Sequence, residues 1–135
     1  MEMMMKRFGL FLLLCLPALA MAADAPAARP LKVVMFSGSS EYKSNDTLAN
    51  LKKLLEEKYH CSCTLNIVQD KGTALTGVDQ LAMADVGIFF TRRIAVADAD
   101  LAKVKKFIAR GGGVVGIRTA SHGFQHILIS GHATI

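Results

Sequence analysis

Four short apolar runs, separated by stretches of helical periodicity, constrain this chain's fold more than any other feature. They fall at residues 31–37, 63–68, 86–90 and 114–117. Between the first two runs, residues 46–59 place Leu48, Leu51, Leu54, Leu55 and Tyr59 at the spacing of one helix face. Between the last two, residues 99–110 repeat that spacing with Leu101, Val104, Phe107 and Ile108. Asn45 or Asp46 is placed to cap the first helix, and Asp98 or Asp100 the second. Gly111 suits the left-handed residue that ends the second helix, and residues 78–84 read as a further short helix. Strands without a polar face, alternating with helices, are the pattern of a parallel sheet covered on both sides. Right-handed crossovers then give an α/β, doubly wound, flavodoxin-like sheet in the order 2-1-3-4.

The first 22 residues read differently. Lys6 and Arg7 precede a short apolar run, and Ala20-Met21-Ala22 supplies a small-x-small site, the layout of a secretory signal peptide. The run is too short to cross a bilayer, which takes about 20 residues. Export to the periplasm or the extracellular space, with no stable membrane anchor after cleavage, is the expectation. Residues 23–30 are an Ala/Pro linker, residues 31–125 the domain, and residues 126–135 an atypical tail.

Charge and cysteine content narrow the partners. Removing Lys6, Arg7 and Glu2 from the chain's net +5 leaves +4. That excess is scattered over helix faces at Lys52, Lys53, Lys103, Lys105 and Lys106, so no nucleic-acid partner is expected. Cys61 and Cys63 share one side of an extended segment. A bridge between residues two apart is strained, so two thiols at the start of a strand is the simpler reading, with a labile disulfide as the other.

A doubly wound sheet gathers its strands' carboxyl ends along one edge, where such folds bind ligands. Four loops meet there: residues 37–44, residues 69–71 (Gln69, Asp70, Lys71), residues 91–93 and residues 118–122. The first is rich in hydroxyls but holds only Gly38 and matches neither dinucleotide nor P-loop glycine pattern, so no cofactor is expected. Its hydroxyls read as satisfying local backbone donors at a strand-to-helix turn. Arg92 and Arg93 are adjacent, so one reaches the cleft while the other lies outward against an acid such as Asp98. Arg118 follows an apolar strand directly, and its charge calls for a partner or a wet cleft. Ser121 and His122 have the chemistry of nucleophile and base, but sequence neighbours rarely meet in that geometry. No G-x-S-x-G surrounds Ser121. His122 and His126 have the i, i+4 spacing of two zinc ligands without a glutamate between them, and no metal site is expected.

Three segments taken together resemble a known family: Gly38-Ser-Ser-Glu-Tyr-Lys-Ser44, Thr91-Arg-Arg93 and Gly116-Ile-Arg-Thr-Ala-Ser-His-Gly-Phe124. They are similar to the ThuA-like (trehalose-utilization) domain, over about residues 31–125. The resemblance implies a class I glutamine amidotransferase-like fold and a link to carbohydrate use. It nominates Glu41, Tyr42, Arg92, Arg93, Arg118, Ser121 and His122 as cleft residues. The related amidotransferases carry a cysteine at the turn after the corresponding strand. Here that turn is Arg118-Thr-Ala-Ser121, which argues against glutaminase-type chemistry. Family-like sequence ends near Phe124, and the expectation is a truncated or frame-shifted member.

The resemblance and the loop chemistry together give an exported domain that binds or acts on a carbohydrate or related polyol. Glu41, Tyr42, Arg92, Arg93, Arg118 and Ser121 are its ligand-binding candidates, with His122 as acid/base because an imidazole changes charge near neutral pH. A second reading is a non-catalytic binding module, or a unit that pairs with another copy through the edge of strand four. A flavodoxin-like electron carrier is a third.

Overall fold

A computed structural model of the chain describes residues 29–69 and 74–125. The leader, residues 23–28 of the linker, Asp70, Lys71, His126 and the rest of the tail lie outside the described residues.

The described residues form a flavodoxin-like α/β sheet. Its strands are β1 (Lys32–Gly38), β2 (Ser62–Ile67), β3 (Val86–Thr91) and β5 (Gly113–Gly116), in the order β2-β1-β3-β5. All three pairings are parallel, which matches the expected order once a two-residue strand, β4 (Ile94–Ala95), is set aside. β4 pairs in parallel with β6 (Phe124–Gln125), a small second sheet that sequence periodicity is too short to reveal.

Each face of the main sheet carries one long helix. Leu48 of α1 (Ser44–Tyr59) is fully buried with Val33, Met35, Ile88 and Phe90 on one face. Val104 and Phe107 of α2 (Asp98–Ala109) pack with Val34, Phe36 and Phe89 on the other, together with a 3₁₀ segment at Val78–Met83. This alternation of side chains along β1 and β3 is what a strand buried on both faces requires. Phe36 and Phe89 stack at 5.0 Å between centroids, joining the two central strands.

Only those two strands are enclosed. β5, expected to be buried, is exposed along its length, with Val114 at 50% and Val115 at 45%. It is the sheet's last strand among the described residues, and α1 and α2 lie over the centre. Ser62, Thr64 and Ile67 of β2 are exposed for the same reason. Leu54, Tyr59 and Ile108, assigned to apolar helix faces by spacing, are also exposed.

The helix starts differ from the expected caps. Helix α1 begins at Ser44 after Lys43, which is left-handed at φ 51°, and no side chain caps it. Asn45 Oδ1 lies 2.6 Å from Ser37 Oγ instead. Helix α2 follows Ala97 without a side-chain cap. Asp100 accepts the Leu75 amide at 2.9 Å, a long-range bond that removes it from capping. Gly111 does end α2's turn with φ 88°. Cys61 and Cys63 are free thiols, and burial pushes the Cys63 thiol above its ordinary value.

Candidate functional site

The loops leaving β1, β3 and β5 are tied together by hydroxyls. Ser44 Oγ accepts the Ser39 amide at 2.9 Å and sits 2.7 Å from Ser37 Oγ, closing the turn after β1 on itself. Thr119 Oγ1 donates to the Thr91 carbonyl at 2.9 Å and lies 3.3 Å from Ser39 Oγ. One buried threonine thus joins all three strand ends. Backbone bonds add to it: Arg92 N–H donates to Gly38 O, Arg93 N–H to His122 O and Ile94 N–H to Gly123 O. Of the hydroxyls expected to serve backbone donors at this turn, Ser44 does so, while Ser37 and Ser39 pair with side-chain oxygens.

Close packing demands glycine twice here. A Cβ on Gly123 would lie 2.4 Å from Thr91 Oγ1, and one on Gly38 2.3 Å from Ile94 Cδ1. Thr91 Oγ1 itself is buried without a hydrogen-bond partner among the described residues.

A 3₁₀ turn at Ser40–Tyr42 is where Arg92 and Arg118 meet two of the other nominated residues, Glu41 and Tyr42. Arg92 is ion-paired with Glu41. Arg118 places its guanidinium 4.2 Å from the Tyr42 ring centroid, a cation–π contact. Arg93 joins Ser39, Ser40, Glu41 and Arg92 in lining a cavity of about 200 Å³. Within the Arg92–Arg93 dipeptide, then, Arg92 is the arginine that pairs with an acid, Glu41.

Arg118 does have a partner, but not for the expected reason, since the strand before it is exposed rather than buried. Its φ is 52°, and that of Arg93 is 49°. Both are left-handed, a region that non-glycine residues enter at a cost. Arg118 occupies the sharp strand-to-helix corner after β5, leading into a 3₁₀ turn at Arg118–His122. A corner of that shape presents a nucleophile in many α/β enzymes; here it presents a guanidinium.

Ser121 Oγ lies 3.3 Å from His122 Nδ1, so these neighbours do come within reach of each other, in an exposed position. The contact is long for a hydroxyl–imidazole bond. Ser121 and Arg118 rim a second, more apolar hollow of about 390 Å³, whose walls include Ile108, Val114 and Phe124. Sequence reasoning missed Ser39 and Thr119 as the residues that lock the loops. Their role rests on contacts 80 and 28 residues apart, which no local pattern signals.

No group of metal-ligating side chains is assembled among the described residues. Nor is any helix there long and apolar enough to cross a membrane. Comparison with protein-family models, with curated proteins and with solved structures finds no match to this chain.

Proposed function

We propose that this chain is an exported ThuA-like domain that binds or acts on a carbohydrate or related polyol at the carboxyl ends of its strands. The carrying observation is the meeting of Arg92 and Arg118 with Glu41 and Tyr42 at one 3₁₀ turn, beside a small polar cavity that Arg93 lines. Guanidinium and carboxylate groups give the directional donors and acceptors that a sugar ring requires. The cavity lies below the 300–1,000 Å³ usual for drug-sized ligands, which matches a single small polyol. His122, beside Ser121 at the same edge, is the acid/base if the domain turns over its ligand.

Thermal-shift screening against neutral and charged sugars tests the binding. The expected result is a rise in melting temperature with at least one sugar, reduced by His122→Ala far more than by His60→Ala. His60 ends α1, far along the sequence from these loops. No shift with any sugar, or equal losses in the two variants, overturns the reading. Amino-terminal sequencing of the secreted protein tests export, with cleavage expected after Ala22.

The exposure of both faces of β5 favours a second reading, a binding module that shares this edge with another copy. A stable dimer on size exclusion, lost with Val115→Lys, supports it.

A further inference from the structure

Another cavity lies away from the strand-end loops, between the 3₁₀ segment Val78–Met83 and α2. Its volume is about 320 Å³, larger than that of the polar cavity beside Glu41. Val78, Ala82 and Phe107 supply an apolar lining, and two of them, Val78 and Phe107, belong to the core. Lys103, Lys106 and Arg110 line it as well, with Asp79 as the acid among its lining residues. Arg110 donates to the carbonyl of Ala84, two residues before β3 begins. The cavity therefore lies toward the amino ends of the strands.

Its three cations form one stripe along α2 and the residue that ends it, at i, i+3 and i+7. Like charges three and four residues apart on a helix repel one another. Lys103 is offset by carboxylates, with Asp79 at 2.9 Å and Asp100 at 3.4 Å from its Nζ. The helix dipole favours cations in a last turn, which suits Lys106 and Arg110 as charges. It does not require that they stand over an apolar hollow.

Arg110 is fixed in place before any ligand arrives. Its Nη2 donates to the Leu81 carbonyl at 2.7 Å and to that of Ala84, and its guanidinium lies 5.0 Å from the Phe107 ring centroid. Those two bonds occupy one nitrogen of a planar fork that carries five donors. A guanidinium already held by the fold loses little freedom when its other donors meet a ligand.

We propose that this cavity binds a small amphiphilic anion, an aliphatic or aromatic carboxylate whose apolar body lies against Val78, Ala82 and Phe107 and whose charge meets Lys106 and Arg110. The mixed lining decides the class. An inorganic anion engages only the cations, and a neutral apolar molecule only the apolar residues. The site is independent of the carbohydrate reading, which concerns the other end of the sheet.

Titration calorimetry of the purified full chain at low ionic strength tests it, with phenylbutyrate, its neutral amide and acetate. Phenylbutyrate is expected to bind about tenfold or more tightly than either of the others, since the amide lacks the charge and acetate the apolar body. Lys106→Gln, at an exposed position, is expected to melt like the parent. It is expected to lose about tenfold on phenylbutyrate and nothing on the amide. Ala82→Phe, also at an exposed position, fills the cavity and is expected to weaken phenylbutyrate about tenfold or more. If Ala82→Phe melts too low to titrate, Ala82→Leu carries the measurement, with a smaller loss in the same direction.

Equal affinity for phenylbutyrate and its amide overturns the proposal by removing the charge from recognition. Acetate binding as tightly as phenylbutyrate overturns it by removing the apolar lining. Absence of phenylbutyrate binding overturns it outright, and unchanged affinity in the Lys106 and Ala82 variants does so by placing the ligand elsewhere.

Discussion

The two ends of the parallel sheet use charge in opposite ways. At the amino end, Arg29 reaches both oxygens of Asp85 at 2.7 and 2.6 Å, and the same carboxylate accepts the Lys32 amide at 2.8 Å. That ties the start of β1 to the start of β3. Arg110 likewise donates to the Leu81 carbonyl at 2.7 Å and to that of Ala84, closing the 3₁₀ segment, with its guanidinium 5.0 Å from the Phe107 ring centroid. Every one of these charges finishes a backbone bond or an ion pair. At the carboxyl end, neutral hydroxyls do the tying, while Arg93 and Arg118 hold left-handed backbone and form no ion pair among the described residues. A charge that completes a backbone bond or an ion pair belongs to the fold.

Phe107→Ala is the harshest test of the amino end as the structural one. Phe107 is 1% exposed and packs so tightly that a Cβ on Gly112 would lie 2.3 Å from its ring. Truncation is expected to cost about 3–5 kcal/mol, read from chemical denaturation. Sugar affinity, measured well below the melting transition, is expected to stay unchanged. A cost under about 1 kcal/mol would show that α2 does not close its face of the sheet as described.

Thr119→Val tests the other end. It keeps the shape of a 6%-exposed side chain and removes the hydroxyl that joins Thr91 O and Ser39 Oγ. The expected cost is about 1–3 kcal/mol, because a buried carbonyl loses its donor. Sugar affinity is expected to fall as well, since the three loops lose their common tie. A stability loss with affinity intact would make the hydroxyl lashing as purely structural as the amino-end ion pairs, and the contrast between the ends would fail.

The contrast also marks what could be read in advance. Strand order was legible because apolar runs and helical spacing are local, and parallel sheets obey handedness rules. Gly111 was legible for the same reason, as a helix end needing positive φ. The exposure of β5 was not, because burial depends on which elements lie above a strand, and Val114 and Val115 look the same covered or bare. Asp100 has the sequence of a helix cap, yet its carboxylate bonds Leu75, 25 residues away. The convergence of the loops at one edge was legible, but the pairings of the side chains on them were not. Arg92 with Glu41 spans 51 residues and Arg118 with Tyr42 spans 76, and only the fold brings them together. Backbone strain at Arg93 and Arg118 leaves no trace in composition or spacing at all.

The smallest expected effect is a pH dependence at the amino end. Arg29 hydrogen-bonded to Asp85, with the Lys32 amide beside it, holds that carboxyl well below the usual carboxylate range. A carboxylate depressed in the folded state contributes stability that is fully present above its unfolded pKa of about 3.9. That contribution fades as pH falls through and below this value toward the folded one. Wild-type stability is therefore expected to decline with acid from about pH 5 downward more steeply than that of Asp85→Asn, the two curves converging at the acid extreme. Glu56, lowered by its bond to Lys52, titrates in the same direction but is common to both proteins and cancels in the difference. The Arg29 side chain is 65% exposed, so solvent screens the pair and added salt is expected to shrink the gap between the curves. Parallel acid limbs in the two proteins would mean that Asp85 is not held by Arg29 in solution. The amino end would then lose its best example of a charge engaged by the fold.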